Sequence, residues 1–474
     1  MDDLHSLPAH EILNLIRQEK ISVKEVVAAL LERIHDVNDK INAIVCYDEK
    51  QILSQAEKMD DAPSKERPLF GLPVTVKDNI EVDGMITTGG IKDRRRYVPS
   101  TDATVVKRLK NAGAIIIGKT NCPAFCSGFE THNEVYGQTN NPFNLEKTVG
   151  SSSGGEAALI AAGGSFLGIG SDTGGSILWP SSYTGICGLA PTFGRVSRMG
   201  TIPPYLGFLD TTRIGPMSRS IRDLLLVLPI IMGPDNWDSR CLPMRYAPPD
   251  SIRLEDLTVA YYAENGFVEP ASEVKRTISD AADILAGMNL AVEESYPQPS
   301  MEFLDVEQGL NRFSSNIEKG TEPNVKEWSE PVELYPDEIY DLVDDWLRES
   351  QKAKGNQAML GVEFFFWGIK WDAFRSQILR FMDEYDAIVC PVSAYPAFDH
   401  GESHKELFNS LDLLSYTHPY SLVGLPSVTL RGGTSSDGLP IGLQIITKHA
   451  EEGLALKIAS HLEDNMIGYE KPNI

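Results

Sequence analysis

Between residues 69 and 229, short apolar runs at 72–76, 114–117 and 166–169 alternate with helix-patterned segments and glycine-rich turns. Alternation of this kind specifies an α/β fold, in which buried strands are covered by helices and function sits in loops at the strand ends. Upstream, Ser22-Val23-Lys24-Glu25 reads as a capping box that opens an amphipathic helix carrying Val26, Val27, Leu30, Leu31, Ile34 and Val37 on one face. A second helical pattern covers 51–58. Beyond 233 the chain turns acidic, richer in proline and less regular. The α/β style returns with buried runs at 387–391, 422–430 and 438–446 and a last helix over 451–463. The expected organisation is a single domain over 1–474. It comprises N-terminal helices at 1–65, a core at 66–232, a variable region at 233–385 and the C-terminal part of the core at 386–474.

The 474 residues are 42% hydrophobic and 23% charged, ordinary values for a globular protein. A formal net charge of −24 repels nucleic-acid phosphates and anionic membranes, so neither is expected as a partner. The longest apolar run, 224–232, is too short to span a bilayer and contains Pro229. Met1-Asp2-Asp3-Leu4 lacks the basic and apolar regions of a signal peptide. Of six scattered cysteines only Cys122 and Cys126 are close, and no zinc pattern is completed. The expectation is a cytoplasmic protein with reduced thiols, no metal, no cofactor and a small-molecule substrate.

Two glycine loops bear serines, Gly150-Ser151-Ser152-Ser153-Gly154-Gly155 and Asp172-Thr173-Gly174-Gly175-Ser176, and a lysine stands upstream in Val74-Thr75-Val76-Lys77. Glycine lets the backbone turn tightly and brings main-chain N–H groups close to a ligand. A lysine behind an apolar run can be desolvated and act as a base. Serine is a poor nucleophile until a neighbouring base takes its proton. Together these residues point to acyl transfer in which lysine, not histidine, removes the proton.

Two other motifs compete with that reading. Gly113-Ala114-Ile115-Ile116-Ile117-Gly118-Lys119-Thr120 fits a phosphate loop letter for letter. Its β-branched middle, however, favours a buried strand over a turn that aims amides at phosphate. Gly150-Ser151-Ser152-Ser153-Gly154 fits the nucleophile elbow of a Ser-His-Asp α/β-hydrolase using Ser152. That mechanism needs a downstream histidine, and His418 is better placed than His400, His404, His449 or His461.

In ordered blocks the sequence resembles the amidase signature family of serine hydrolases. The most specific stretch is 150–191, which includes Gly154-Gly155-Glu156-Ala157-Ala158, Asp172-Thr173-Gly174-Gly175-Ser176-Ile177 and Thr184-Gly185-Ile186-Cys187-Gly188-Leu189-Ala190-Pro191. Supporting blocks fall at 71–79, 118–121, 139–142 and 438–444. The resemblance implies an α/β fold with a mixed central β-sheet flanked by helices. It also implies Lys77 as the catalytic base, Ser152 on a cis peptide bond as the bridging residue, and Ser176 as the nucleophile. The backbone amides of Thr173, Gly174, Gly175 and Ser176 would form the oxyanion hole.

The chain departs from the family at Ile177-Leu178-Trp179, where most members carry Ile-Arg. Asp172 is left in need of another cationic partner. Trp179 replaces an arginine with which some relatives hold a carboxylated amide, and Ser151 replaces a glycine. These changes favour a neutral, fairly apolar amide, anilide or carbamate over the substrates of glutamine-tRNA amidotransferase subunits and malonamate-type amidases. The pocket is expected to include Cys126, Phe129, Ser151 and Trp179, with the aromatic run at 364–367 as a further wall. The alternative is a polypeptide that acts only inside an amidotransferase complex, and a homodimer is left open.

Overall fold

The apolar runs become strands. They are β1 (Ile44–Cys46), β2 (Pro73–Lys77), β3 (Ile115–Thr120), β4 (Leu167–Asp172), β5 (Cys187–Ala190), β6 (Arg213–Ser218), β7 (Thr258–Tyr261), β8 (Ala291–Glu294), β9 (Ala387–Pro391), β10 (Ser427–Thr434) and β11 (Pro440–Thr447). All eleven belong to one sheet, in the order β1-β3-β2-β4-β6-β5-β10-β11-β9-β7-β8. The trios β3-β2-β4 and β9-β7-β8 are parallel, and the remaining pairs are antiparallel. The mixed sheet flanked by helices is therefore the architecture read from the sequence. The computed structural model describes residues 4–62, 65–202, 211–255, 257–288, 290–297, 361–404 and 414–474, with 361–370 described by backbone alone.

The helices are α1 (Ala9–Arg17), α2 (Val23–Ile41), α3 (Glu49–Asp60), α4 (Thr104–Asn111), α5 (Gly154–Ala161), α6 (Leu178–Thr184), α7 (Ile221–Ile231), α8 (Ser272–Ala286), α9 (Gly361–Glu384), α10 (His418–Val423) and α11 (Glu452–Asn465). The capping box is formed as read: Ser22 Oγ accepts from Glu25 N at 3.1 Å, and Ser22 N donates to Glu25 Oε2 at 2.8 Å. One apolar core joins α1, α2 and α4 to β2, β3 and β4. A second joins α7, α8 and α11 to β5, β7, β9, β10 and β11. Helix α5 is buried at every position, which suits its all-apolar Ala157-Ala158-Leu159-Ile160-Ala161 stretch.

The chain divides into two compact units, 1–296 with 384–474, and 297–383. Residues 233–296, the first part of the region expected to vary, supply β7, α8 and β8 to the sheet of the first unit. In the second unit the backbone of α9 is described and Trp371 is buried. The aromatic run at 364–367 lies outside the described side chains. The phosphate-loop lookalike is strand β3, buried throughout and paired parallel with β2. Its Lys119 donates to the Ile80 carbonyl. No helix among the described residues is long and apolar enough to cross a membrane.

Candidate active site

Strands β2 and β4 run side by side and parallel, with Thr75 opposite Gly168 and Val76 opposite Ile169. Their C-terminal residues, Lys77 and Asp172, therefore emerge at the same end of the sheet, where α/β proteins gather ligand-binding loops. Lys77 is fully buried. Its Nζ lies 2.6 Å from Ser152 Oγ, 2.9 Å from Ser171 Oγ and 3.3 Å from the Ser171 carbonyl. Among the described residues no carboxylate pairs with this amine. The peptide bond Ser151–Ser152 is cis.

The two serine loops touch. Ser153 N donates to the Ser176 carbonyl at 3.1 Å, and Ser153 Oγ donates to the Ser171 carbonyl at 3.1 Å. Ser176 is half-buried, whereas Ser152 is covered. Asp172 organises the turn that carries Ser176. Its Oδ1 accepts from Gly175 N at 3.0 Å and its Oδ2 from Ile177 N at 2.7 Å, so the carboxylate grips the residues on either side of Ser176.

Of the four amides assigned to the oxyanion hole, that of Gly175 is thus already engaged by Asp172. The N–H groups of Thr173, Gly174 and Ser176 have no acceptor among the described residues and stand as the open donors. Gly175 has φ +122°, and a Cβ there would lie 2.6 Å from Thr417 Oγ1, so only glycine fits. Thr417 Oγ1 donates to the Gly174 carbonyl at 2.7 Å. The His418 ring packs on the same glycine, with Cδ2 3.1 Å from where a Gly174 Cβ would stand. The histidine favoured by the elbow reading thus lies against the Asp172–Ser176 turn, and the group that meets Ser152 Oγ is the Lys77 amine.

The four pocket residues read from the sequence fall into two groups. Trp179 is buried among Leu178, Tyr183, Val392 and Phe398, and Phe129, half-buried, packs on it with ring centroids 5.9 Å apart. Trp179 Nε1 has no acceptor among the described residues. Cys126 also meets the Lys77 cluster, where its thiol is hydrogen-bonded with Cys122, Ser152 and Ser171. The Cys122 hydrogen bond draws the Cys126 thiol below its usual range, against burial. Ser151 is buried beside the cis bond, and its Oγ has no partner among the described residues.

Behind this cluster lies a buried carboxyl group. Burial pushes Glu156 up to about 7, although Thr75 and Thr120 hydroxyls both donate to it and draw it back. A Cβ on Gly168 would overlap this side chain, so the glycine in β4 makes room for it.

Sequence reasoning missed Ser171, Thr417, Cys122 and the partner of Asp172. Ser171 had a local signal, since it sits just before Asp172, two residues past the apolar run at 166–169. Thr417 had none, because its segment lies more than 240 positions downstream of Gly174. The partner of Asp172 is Arg213, whose side chain is as fully buried as the aspartate and whose NH2 group lies 2.6 Å from Oδ1.

The fold and this arrangement of loops define the class: an amidase-type α/β enzyme. The family model described as Amidase matches residues 25–456. The glutamyl-tRNA(Gln) amidotransferase A subunit of Bacillus velezensis is 33% identical over 96% of each chain. Its counterpart from Exiguobacterium sibiricum is 34% identical over 99% of this chain and 100% of that one. Among solved structures, 6-aminohexanoate cyclic dimer hydrolase with its substrate superposes with a TM-score of 0.84, at 26% identity over 99% of each chain. The corresponding amidotransferase polypeptide of Thermotoga maritima reaches 0.79 at 26% identity, over 99% of this chain and 98% of that one. The chain belongs to the amidase family, whose members act on C–N amide bonds.

Proposed function

We propose that the protein hydrolyses neutral, fairly apolar amides, anilides or carbamates through an acyl-enzyme on Ser176. The observation that carries this reading is the Lys77 amine 2.6 Å from Ser152 Oγ, buried, with no carboxylate to claim it among the described residues. In the proposed cycle the substrate carbonyl oxygen rests on the amides of Thr173, Gly174 and Ser176. Ser176 Oγ attacks the carbonyl carbon and gives its proton to Ser152, whose own proton passes to Lys77. The relay then runs backwards, protonating the leaving nitrogen as the C–N bond breaks. Water, deprotonated by the same route, releases the acid and regenerates Ser176. Each oxyanion donor contributes about 3–4 kcal/mol to such a step.

Substrate polarity is argued from Trp179. An indole among Leu178, Phe129 and Phe398 offers no cation to a carboxylated substrate. The test is turnover of para-nitroanilides, primary amides and carbamates of graded size by the purified chain. Ser176→Ala and Lys77→Met are expected to abolish turnover, and EDTA to leave it unchanged. Full activity of Ser176→Ala would overturn the mechanism.

A second reading has specific support in the 32–34% identity to amidotransferase A subunits. It requires that the chain alone be inactive on simple amides and gain glutaminase activity with partner subunits. Activity of the isolated chain on an anilide therefore separates the two.

A further inference from the structure

Arg213 and Asp172 stand directly opposite each other in the antiparallel pair β6–β4, so their side chains share one face of the sheet. Both side chains are fully buried. The guanidinium NH2 lies 2.6 Å from Asp172 Oδ1 and 2.7 Å from Ser421 Oγ, while NH1 donates to the Leu425 carbonyl at 2.7 Å. The same carboxylate holds Gly175 N and Ile177 N, the amides flanking Ser176. A buried carboxylate without a cation would be costly to keep ionised. Leu178, just after this turn, is apolar and belongs to the cluster around Trp179. The cation paired with Asp172 therefore comes from the neighbouring strand.

We infer that Arg213 is the positioning residue of this enzyme's nucleophile: through Asp172 it fixes the 173–177 turn, and through Ser421 and Leu425 it locks that turn to α10 and the segment just after it. The inference rests on the reading of Ser176 as the nucleophile. A fork geometry is required, because one side chain must reach Asp172, Ser421 and the Leu425 carbonyl at once. Misplacing a reacting group by about 1 Å costs on the order of 100-fold in rate.

The experiment measures kcat and KM on a para-nitroanilide turned over by the wild-type chain, for Arg213→Gln, Arg213→Lys, Asp172→Asn and the Arg213→Gln/Asp172→Asn double variant. Expected are a kcat loss of about 100-fold for Arg213→Gln with KM within about threefold, and a partial recovery for Arg213→Lys. The double variant should be no worse than the poorer single, since both act through one bond. Arg213→Lys keeps the charge and serves the same comparison should the glutamine variant fail to fold. Wild-type kcat in both Arg213 variants, or losses that multiply in the double variant, would overturn the inference. A Ser176→Ala control separates the two failures. If it is inactive the nucleophile reading stands whatever Arg213 does; if it is active, that reading falls first.

Discussion

Lys77 is met by the carbonyl of Ser171 and by two serine hydroxyls, through which a proton can move in either direction, and Cys126 joins the same cluster. The thiolate is the reactive form of cysteine. With its thiol drawn below its usual range by the Cys122 hydrogen bond, and less covered than Cys122, Cys126 should be alkylated by iodoacetamide at neutral pH ahead of the other five cysteines, with loss of turnover in step. Bound substrate should slow the labelling. Peptide mass spectrometry against a Cys126→Ser variant checks this; labelling that begins at Cys46 or Cys241 would refute it. Much at this scale was legible in advance. The two glycine-serine loops and the lysine that the fold brings together were visible in the sequence, because glycine-bounded serines and a lysine after an apolar run leave local marks. The contacts of Cys126 with Ser152 and Ser171 were not legible, since those residues reach it only after β2 and β4 have paired. Arg213 was illegible for the same reason, for a cation in a strand says nothing of the carboxylate on the adjacent one.

At the scale of elements, Glu156 on α5 faces Thr75 of β2 and Thr120 of β3 from a site without water access. Burial raises its carboxyl from 4.5 to about 7. The folded protein thus holds this proton where the unfolded chain has released it. The associated stability is present below about pH 4.5 and is lost as pH rises through about 7. Glu156→Gln keeps the shape and cannot ionise, so its melting temperature should fall less between pH 5 and 8 than that of the wild type. Parallel melting curves would refute the assignment. In helix α6, Trp179→Phe retains an apolar ring and gives up the indole N–H. It is expected to change the ratio of kcat/KM for aryl over acetyl amides by about tenfold, with an unchanged ratio excluding Trp179 from the substrate wall. Element boundaries were read to within a few residues wherever a run was both apolar and bounded by glycine or proline, as at β2, β3 and β9. The pairing order was not readable, because β10 and β11 insert between β5 and β9 through contacts made hundreds of residues apart.

Over the whole molecule, the fold is closed by pairs that join distant segments. Arg195, after β5, is bound by Glu452 in the first turn of α11, with contacts of 3.0 and 2.7 Å, and the Thr192 amide adds a third at 2.9 Å. Removing one partner of a buried pair costs about 3–5 kcal/mol. Glu452→Gln should lower the urea midpoint accordingly and leave KM unaltered; an unshifted midpoint would refute that role. The strand order carries one more consequence. The backbone departs from the ladder at Glu294 in β8 and rejoins it at Ala387 in β9, parallel to and two places from its point of exit. Such a return needs only about a dozen residues, so the ladder dictates almost nothing about the length of 295–386. Evolution can lengthen, trim or exchange that excursion without re-registering a single strand. A chimera carrying the corresponding stretch of another amidase should unfold cooperatively and still present Ser176 to a fluorophosphonate.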